Sequence, residues 1–201
     1  MKILGFVGSP RKGENTDVLV NHVLDKAREA GAETLLYDIC DMDIGGCIAC
    51  MACKSNPNSC SIEDDMLPLY QEIIKADALV IGSPVYVAWI TAQTKAFIDR
   101  LYAFLGPDYK PYIEETKRCL LVMPQGHPDA NRYEFIGTQL GFLLKFMCNM
   151  ETKYLIAAGV GQRGARGADV REHQDIMDAA AKLAKEMVTA PTWEGVSDPT
   201  G

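Results

Sequence analysis

Short runs of branched apolar residues alternate with segments of helical periodicity along most of the chain. Strands are predicted at residues 3–7, 32–40, 78–83, 118–123 and 153–160, and helices at 16–30, 64–75, 91–104, 130–150 and 169–188. The strands lack the polar alternation of a half-exposed sheet, which indicates burial on both faces. The repeat therefore predicts an α/β fold: a doubly wound, five-stranded parallel sheet with helices on both faces.

The length suits a single domain. The chain has 201 residues, 48% of them hydrophobic, which is enough apolar material for one core. We assign residues 1–190 to this domain, with a cysteine-rich insertion at 41–62. Residues 191–201, which are rich in Pro and Gly, are expected to form an irregular C-terminal tail.

Charge and hydropathy exclude several classes of protein. The net charge is −7, whereas a nucleic-acid-binding protein would need a basic face. No apolar run reaches the roughly 18 residues that span a bilayer. The N-terminal apolar run is too short for a signal peptide. We expect a cytoplasmic protein that contacts neither nucleic acid nor membrane.

The loops after the strands are the expected ligand sites, because ligands of such sheets bind at the carboxyl ends of the strands. The first loop, GSPRKGENT at residues 8–16, lies where the first helix begins. Hydroxyl, amide and cationic side chains gather there with the free N–H groups of the helix, which suits a phosphate. A Walker A loop would continue with Lys where this chain has Glu14, so a nucleotide triphosphatase is not predicted.

The second loop belongs to the stretch GSPVYVAWITAQTKAFIDR at residues 82–100. Tyr86 and Trp89 lie in it before the helix, where aromatic rings can pack against a flat ligand. They could instead cover part of the core, which is common for such side chains. The neighbouring phosphate-type loop favours a ligand.

Four of the seven cysteines lie in CIACMACKSNPNSC. Cys47, Cys50 and Cys53 step by three, as three ligands of a bacterial ferredoxin cluster do, and Cys60 completes a set of four. Structural zinc usually takes two Cys-x-x-Cys pairs from separated loops, which fits this spacing less well. A redox disulfide or unliganded thiols stay open as alternatives.

These motifs resemble a known family. The stretches GSPRKGENT and SPVYVAWITAQTKAFIDR are similar to those of the flavodoxin-like NADPH-dependent FMN reductase family. With the cysteine segment after the second strand, the chain resembles the iron–sulfur flavoproteins within that family, from Lys2 to about Val188. The resemblance implies a flavodoxin-like fold, with FMN and a [4Fe–4S] cluster as cofactors.

The resemblance also implies roles for individual residues. The FMN phosphate would be held by Ser9, Arg11, Asn15 and Thr16, with Lys12 nearby. The isoalloxazine would be lined by Pro84, Val85 and Tyr86, and its pyrimidine side by Gln125 and Gly126. The cluster ligands would be Cys47, Cys50, Cys53 and Cys60. Pro124 stands where family members often have Thr.

The expected function is electron transfer by an oxidoreductase. FMN and the cluster would pass electrons from a ferredoxin-like carrier or NAD(P)H to a small-molecule acceptor such as a quinone or an oxygen species. The family resemblance also implies a homodimer or homotetramer. Two alternatives are an NAD(P)H-dependent FMN or quinone reductase without a cluster, and a flavin-binding carrier or regulator with a zinc loop.

His127 and the stretch GVGQRG also lie near the predicted carboxyl ends of the strands. The third loop is PQG at residues 124–126, after the fourth predicted strand. His127 follows it and could donate a hydrogen bond to the flavin or simply lie at the surface. GVGQRG at residues 159–164 matches the dinucleotide pattern, but the chain offers no second strand after the following helix. We therefore expect a loop at the rim, with Arg163 and Arg166 facing solvent, and no Rossmann site.

Overall fold

Five parallel strands form the centre of the molecule. The computed structural model describes residues 1–161 and 169–196. The elements are β1 (Lys2–Val7), α1 (Asn15–Glu29), β2 (Glu33–Asp38), α2 (Met66–Lys75), β3 (Ala78–Gly82), α3 (Ala92–Arg100), β4 (Lys117–Gln125), α4 (Glu134–Cys148), β5 (Met150–Ala158) and α5 (Gln174–Thr189). The strand order is β2-β1-β3-β4-β5, and each neighbouring pair is parallel. This is the flavodoxin-like order, so the predicted fold is confirmed.

Helices cover both faces of the sheet because successive strand residues point to opposite sides. Ile3 packs with α1 and α5, whereas its neighbour Leu4 packs with α2, α3 and α4. Both side chains are fully buried. This double burial explains why the strands read as continuous apolar runs in the sequence.

Several predicted boundaries differ from the observed ones, among them those between α4 and β5. The segment predicted as one helix over 130–150 begins with a 3-10 turn, Ala130–Tyr133, and α4 then ends at Cys148. Asn149 ends it in the left-handed region, with φ of 52°, and donates from Nδ2 to the carbonyl of Glu114 at 2.9 Å. The strand therefore starts at Met150, three residues earlier than predicted.

The C-terminal segment lies along the edge strand β5. Residues 191–196 contain no helix or strand, but Trp193 is buried and its Nε1 donates to the carbonyl of Glu151 at 2.9 Å. The N–H of Val196 donates to the carbonyl of Thr152 at 2.9 Å. The tail thus covers part of an otherwise open sheet edge.

Membrane-spanning helices are absent from the described part of the chain, where every helix is too short or too polar to cross a bilayer.

Candidate functional site

An open cleft lies at the carboxyl ends of β1, β3, β4 and β5. It encloses about 670 Å³ of empty space, part of which is open to solvent. Its lining comes from the loops after these four strands: Ser9, Arg11, Glu14, Asn15, Thr16, Pro84, Val85, Tyr86, Pro124, Gln125, Gly126, Val160 and Gly161. Nine of the ten residues predicted to bind a cofactor therefore meet at one cleft, and Lys12 is the exception.

The first loop presents unpaired amide donors at the start of α1. Glu14 precedes the helix, and its side chain makes no capping hydrogen bond. Among the described residues, the N–H groups of Asn15 and Thr16 meet no acceptor, whereas the N–H of Val18 already bonds to the carbonyl of Glu14 at 2.9 Å. Ser9 is almost completely buried, and its hydroxyl accepts from the N–H of Arg11 at 3.2 Å. This end of the cleft is built to receive an anion.

Buried hydroxyl groups hold the first loop against the second. Thr91 donates from Oγ1 to the carbonyl of Gly8 at 2.6 Å and lies 2.8 Å from the hydroxyl of Thr94. The N–H of Thr91 donates to the hydroxyl of Ser83 at 3.1 Å. A Cβ at position 8 would lie 1.9 Å from Thr94 Oγ1, so only glycine fits there.

Asn15 differs from the sequence-based expectation of a phosphate-binding side chain. Its Nδ2 donates to the carbonyl of Gly161 at 3.0 Å, and its Oδ1 accepts from the N–H of Val170 at 2.9 Å. Its amide is thus engaged by the rim that follows β5. What Asn15 presents to the cleft is its backbone N–H at the helix terminus.

Lys12 also lies elsewhere than expected. Its ammonium pairs with Asp41 and lies 3.7 Å from Asp38, at the start of the cysteine segment. The side chain is 59% exposed. An ion pair this exposed contributes little to stability, and in this structure Lys12 contacts the segment that follows β2 and not the cleft.

The second loop contains a tight hairpin. Tyr86 and Trp89 exchange two backbone hydrogen bonds, of 2.8 and 3.0 Å. Val87 and Ala88 between them both have positive φ, 48° and 62°, as a type I′ turn requires. A β-branched residue with positive φ is unusual, and such outliers cluster at functional sites.

The two aromatic side chains of this hairpin have different surroundings. The ring of Tyr86 borders the cleft, with the guanidinium of Arg11 5.8 Å from its centre. Trp89 stacks instead on Phe135 of α4, with the ring centres 6.1 Å apart. Of the two rings suggested for a flat ligand, only Tyr86 lines the cleft.

The third loop is held from within by Gln125. This side chain is 2% exposed and donates from Nε2 to the carbonyls of His127 and Asp129, at 3.1 and 2.7 Å. Its Oε1 is buried and has no hydrogen-bond partner among the described residues. A buried acceptor without a donor is costly, so this oxygen suits a ligand N–H.

His127 lies outside the cleft lining, whereas Val160 and Gly161 of GVGQRG belong to it. Nδ1 of His127 accepts from the N–H of Asp129 at 3.1 Å, and His127 is not part of the cleft lining. Gly159, with φ of 76°, bonds back to the carbonyl of His127. Of GVGQRG, residues 162–164 lie outside the described residues, as do Arg163 and Arg166.

Three lining residues, Glu14, Val160 and Gly161, are not among the residues predicted to bind a cofactor. In the sequence, Glu14 marks only a departure from a Walker A loop. Val160 and Gly161 belong to residues 159–164, which were expected to form a loop at the rim, and they follow β5 at the same sheet edge as the other loops.

The four clustered cysteines lie in the connection between β2 and α2. Cys47 and Cys50 are exposed, whereas Cys53 and Cys60 are half-buried and pack against the core. All four thiols are free. Within residues 1–161 and 169–196, no three His, Cys, Asp or Glu side chains come together as ligands of a metal ion.

Two residues of this segment have a left-handed backbone, and two of its sulfur atoms lie near a hydrogen-bonding group. Ala49 and Met51 are left-handed, with φ of 53° and 61°. The N–H of Ala49 donates to Sγ of Cys47 at 3.4 Å, and Sγ of Cys50 lies 3.2 Å from the hydroxyl of Ser61. The bond with Ser61 is the main reason that the pKa of Cys50 is lowered. The thiolate, the form in which cysteine binds metal, is thus favoured at Cys50, whereas burial raises the pKa of Cys53.

Comparison with known proteins identifies a family that the chain matches and several similar proteins. The family described as NADPH-dependent FMN reductase matches residues 1–123. An iron–sulfur flavoprotein from Methanosarcina thermophila is 40% identical over 100 residues, which are 50% of this chain and 52% of the relative. An iron–sulfur flavoprotein from Methanocaldococcus jannaschii is 38% identical over 100 residues. The chain thus spans about half the length of these relatives.

Other similarities extend further along the chain. An FMN-dependent NADH:quinone oxidoreductase from Methylorubrum extorquens is 26% identical over 176 residues, 79% of this chain and 85% of the relative. An FMN-dependent NADH-azoreductase from Bacillus anthracis, solved with FMN, superposes with a TM-score of 0.68 and 14% identity, covering 94% of this chain and all of the other. At this identity the superposition supports the flavodoxin-like fold and nothing finer.

Proposed function

Because the chain belongs to the NADPH-dependent FMN reductase family, we propose that it is an oxidoreductase that binds FMN in the cleft and a [4Fe–4S] cluster on four cysteines. The observation that carries the proposal is the cleft itself. It joins unpaired helix N–H donors at one end to the Tyr86 ring and the unpartnered amide oxygen of Gln125.

The cleft residues fit the parts of FMN. The phosphate suits the N–H groups of Asn15 and Thr16, the hydroxyl of Ser9 and the charge of Arg11. The ring suits the lining formed by Pro84, Val85 and Tyr86 and the loop at Gln125 and Gly126. A flavin ring edge carries an N–H, which Gln125 Oε1 could accept. We do not assign Lys12 to the phosphate, because its ammonium forms an ion pair with the carboxylate of Asp41.

The cysteine segment supports a cluster through its spacing and its local donors. Cys47, Cys50, Cys53 and Cys60 form no disulfide, and the N–H of the left-handed residue Ala49 donates to Sγ of Cys47. Hydrogen bonds to sulfur are among the features that tune an iron–sulfur cluster. That several relatives are named iron–sulfur flavoproteins agrees with this assignment.

The two cofactors would make the protein a converter between electron pairs and single electrons. When bound, FMN supplies two-electron chemistry with NAD(P)H, and the cluster supplies one-electron chemistry. The chain's own residues would hold the phosphate at the start of α1 and would line the ring with residues 84–86, 125 and 126. We assign NAD(P)H or a ferredoxin-like carrier as donor, and a quinone or oxygen species as acceptor, in the cytoplasm.

A homodimer or homotetramer is part of the same proposal. One face of α4 leaves large apolar side chains exposed, namely Phe135, Phe142, Leu143 and Phe146. Contiguous apolar surface of this kind is unusual on a monomer and typical of an interface.

Anaerobic reconstitution with FMN, iron and sulfide tests the proposal. The expected product has flavin bands over broad absorbance that dithionite bleaches, and it oxidises NAD(P)H with a quinone as acceptor. Cys60→Ser should lose the iron, whereas the matched control Cys40→Ser, outside the clustered set, should keep it.

A cluster-free FMN and quinone reductase is the second candidate, favoured by the longer alignment with the Methylorubrum extorquens enzyme. It predicts quinone reduction that is equal in wild type and Cys60→Ser. If the wild type binds FMN but turns over no donor–acceptor pair, the oxidoreductase proposal fails.

A further inference from the structure

A buried ion pair lies next to the cysteine segment. Arg100, the last residue of α3, is 2% exposed. Its guanidinium donates two hydrogen bonds to the carboxylate of Asp64, from Nη1 to Oδ2 at 2.6 Å and from Nη2 to Oδ1 at 3.0 Å. The side chain of Asp64 is only 4% exposed. Two parallel bonds between a guanidinium and a carboxylate fix both position and orientation.

This pair closes the base of the loop that carries the four thiols. Arg100 Nη1 also donates to the carbonyl of Gly45 at 2.9 Å, and the N–H of Gly45 donates to Asp64 Oδ2 at 3.0 Å. Gly45 lies just before Cys47, and Asp64 lies just after Cys60. Arg100 and Asp64 therefore tie together the two chain segments that flank the cysteine set.

The pair is more than the loop's closure requires. A buried ion pair costs desolvation, and apolar residues of similar size often stabilise a fold equally well or better. Asp43 and Asp65 already close the same loop through bonds of 2.7 and 3.0 Å. Because burying the guanidinium costs desolvation free energy that loop closure does not require, we look for a role that depends on its charge.

The charge lies at the base of the cysteine loop. The Nη1 atom of Arg100 is 2.9 Å from the carbonyl oxygen of Gly45, which precedes Cys47 by two residues. Nε of Arg100 is buried and has no hydrogen-bond partner in the described part of the chain.

We propose that Arg100 is a positioning residue for the cluster: with Asp64 it holds the four-cysteine loop closed, and it supplies a fixed positive charge at the base of the loop that would hold the [4Fe–4S] group. The inference rests on the proposed function. One-electron reduction adds one negative charge to the cluster, and the electron comes from dithionite in the assay. A fixed positive charge stabilises the reduced form, so Arg100 raises the reduction potential.

The experiment is an EPR-monitored redox titration of the full chain, reconstituted with FMN and cluster, at one pH near 8 where Asp64 stays ionised. Arg100→Gln should make reduction at least about tenfold less favourable, a fall of about 59 mV for a one-electron couple. Asp64→Asn should shift the potential upwards, and Arg100→Lys should stay near the wild type. Lys117→Gln removes another buried cation, which lies at the amino end of β4, and it should leave the reduction potential of the cluster unchanged.

The opposite signs separate charge from loop closure. If the pair only held the loop, Arg100→Gln and Asp64→Asn would loosen it alike and shift the potential in the same direction, which overturns the inference. If Arg100→Gln does not fold, as judged by thermal unfolding with FMN, a raised potential in Asp64→Asn supports the inference and an unshifted or lowered one overturns it.

The same titration separates a failure of the role proposed for Arg100 from a failure of the proposed cluster. A wild type that shows the cluster signal, with variants of unchanged potential, overturns the role of Arg100 alone. A wild type that binds FMN but takes up no iron overturns the proposed cluster and, with it, this inference.

Discussion

Replacing Gly8 by alanine should damage both the fold and the cleft, and Thr94 sets the size of the effect. The new Cβ would lie 1.9 Å from Thr94 Oγ1, far inside the roughly 3.5–4.0 Å of a favourable contact. Thr94 is 1% exposed and has no solvent into which to turn. Gly8 has no positive φ, so the penalty comes from the collision and not from the backbone conformation.

The loss in the free energy of unfolding has two contributions, overpacking around the new Cβ and a lost hydrogen bond. Overpacking costs about 1–3 kcal/mol, and displacing the Thr94 hydroxyl from Thr91 loses a hydrogen bond of about 1 kcal/mol. Gly8→Ala should therefore lower the free energy of unfolding by about 3 kcal/mol. Thr94→Ala alone should cost about 1–2 kcal/mol, because Thr91 still donates to the carbonyl of Gly8.

A double-mutant cycle tests this reasoning. Thr94→Ala removes the atom that the new Cβ would meet, so the double variant should be more stable than the sum of the single effects by about 1–3 kcal/mol. Residual strain is expected, since the Cβ still lies 3.1 Å from the carbonyl of Gly82. Urea unfolding gives the free energies, and quenching of FMN fluorescence gives the affinity. Strictly additive single effects would show that Thr94 is not the obstacle.

Three other predictions concern the rim, the hairpin and the buried pair. Asn15→Ala should lower the free energy of unfolding by about 2 kcal/mol, measured by urea unfolding, because two hydrogen bonds of its amide are lost; an unchanged value would contradict the observed bonds. Val87→Gly should raise that free energy by up to about 1 kcal/mol, since Val87 is fully exposed with φ of 48°; a loss of stability would contradict the assigned strain. Burial pushes the pKa of Asp64 upwards, but hydrogen bonds from Arg100 and backbone N–H groups outweigh it and lower that pKa. The resulting stability is present above the unfolded-state pKa and is lost as the pH falls through the folded-state pKa. Between about pH 5 and 3, the wild type should therefore lose more free energy of unfolding than Asp64→Asn; equal losses would refute this.

The fold was accessible from the sequence because its signals are local. Buried strands such as Ala78–Gly82 are apolar on both faces, and glycine or proline marks most of their ends. The errors occur where a tertiary contact decides. Asn149 ends α4 in the left-handed region while its side chain bonds to Glu114, which is distant in sequence.

The cleft was predictable at the level of loops and less so at the level of side chains. Parallel topology brings the loops after β1, β3 and β4 together, so most of the expected residues meet there. It does not say which way each side chain turns. Asn15 bonds to Gly161 and Val170, and Lys12 pairs with Asp41, partners that lie on other loops.

The buried pair illustrates the same limit. Arg100 lies in the last turns of the helical pattern predicted over 91–104, and Asp64 begins the pattern predicted over 64–75, as charged residues near helix ends commonly do. Nothing in their spacing indicates that both are buried and face each other beneath the cysteine segment. That relation exists only once α3 packs against the connection between β2 and α2.

The central claim is that one chain holds both FMN and a [4Fe–4S] cluster. The most direct measurement is the iron, acid-labile sulfide and FMN content of the anaerobically reconstituted protein, recorded with its EPR spectrum after dithionite reduction. We expect equal molar amounts of iron and acid-labile sulfide, in the ratio to FMN set by one [4Fe–4S] cluster and one FMN per chain. We also expect a reduced-cluster EPR signal that Cys60→Ser abolishes. Stoichiometric FMN with no iron, or with one zinc ion per chain, would contradict it.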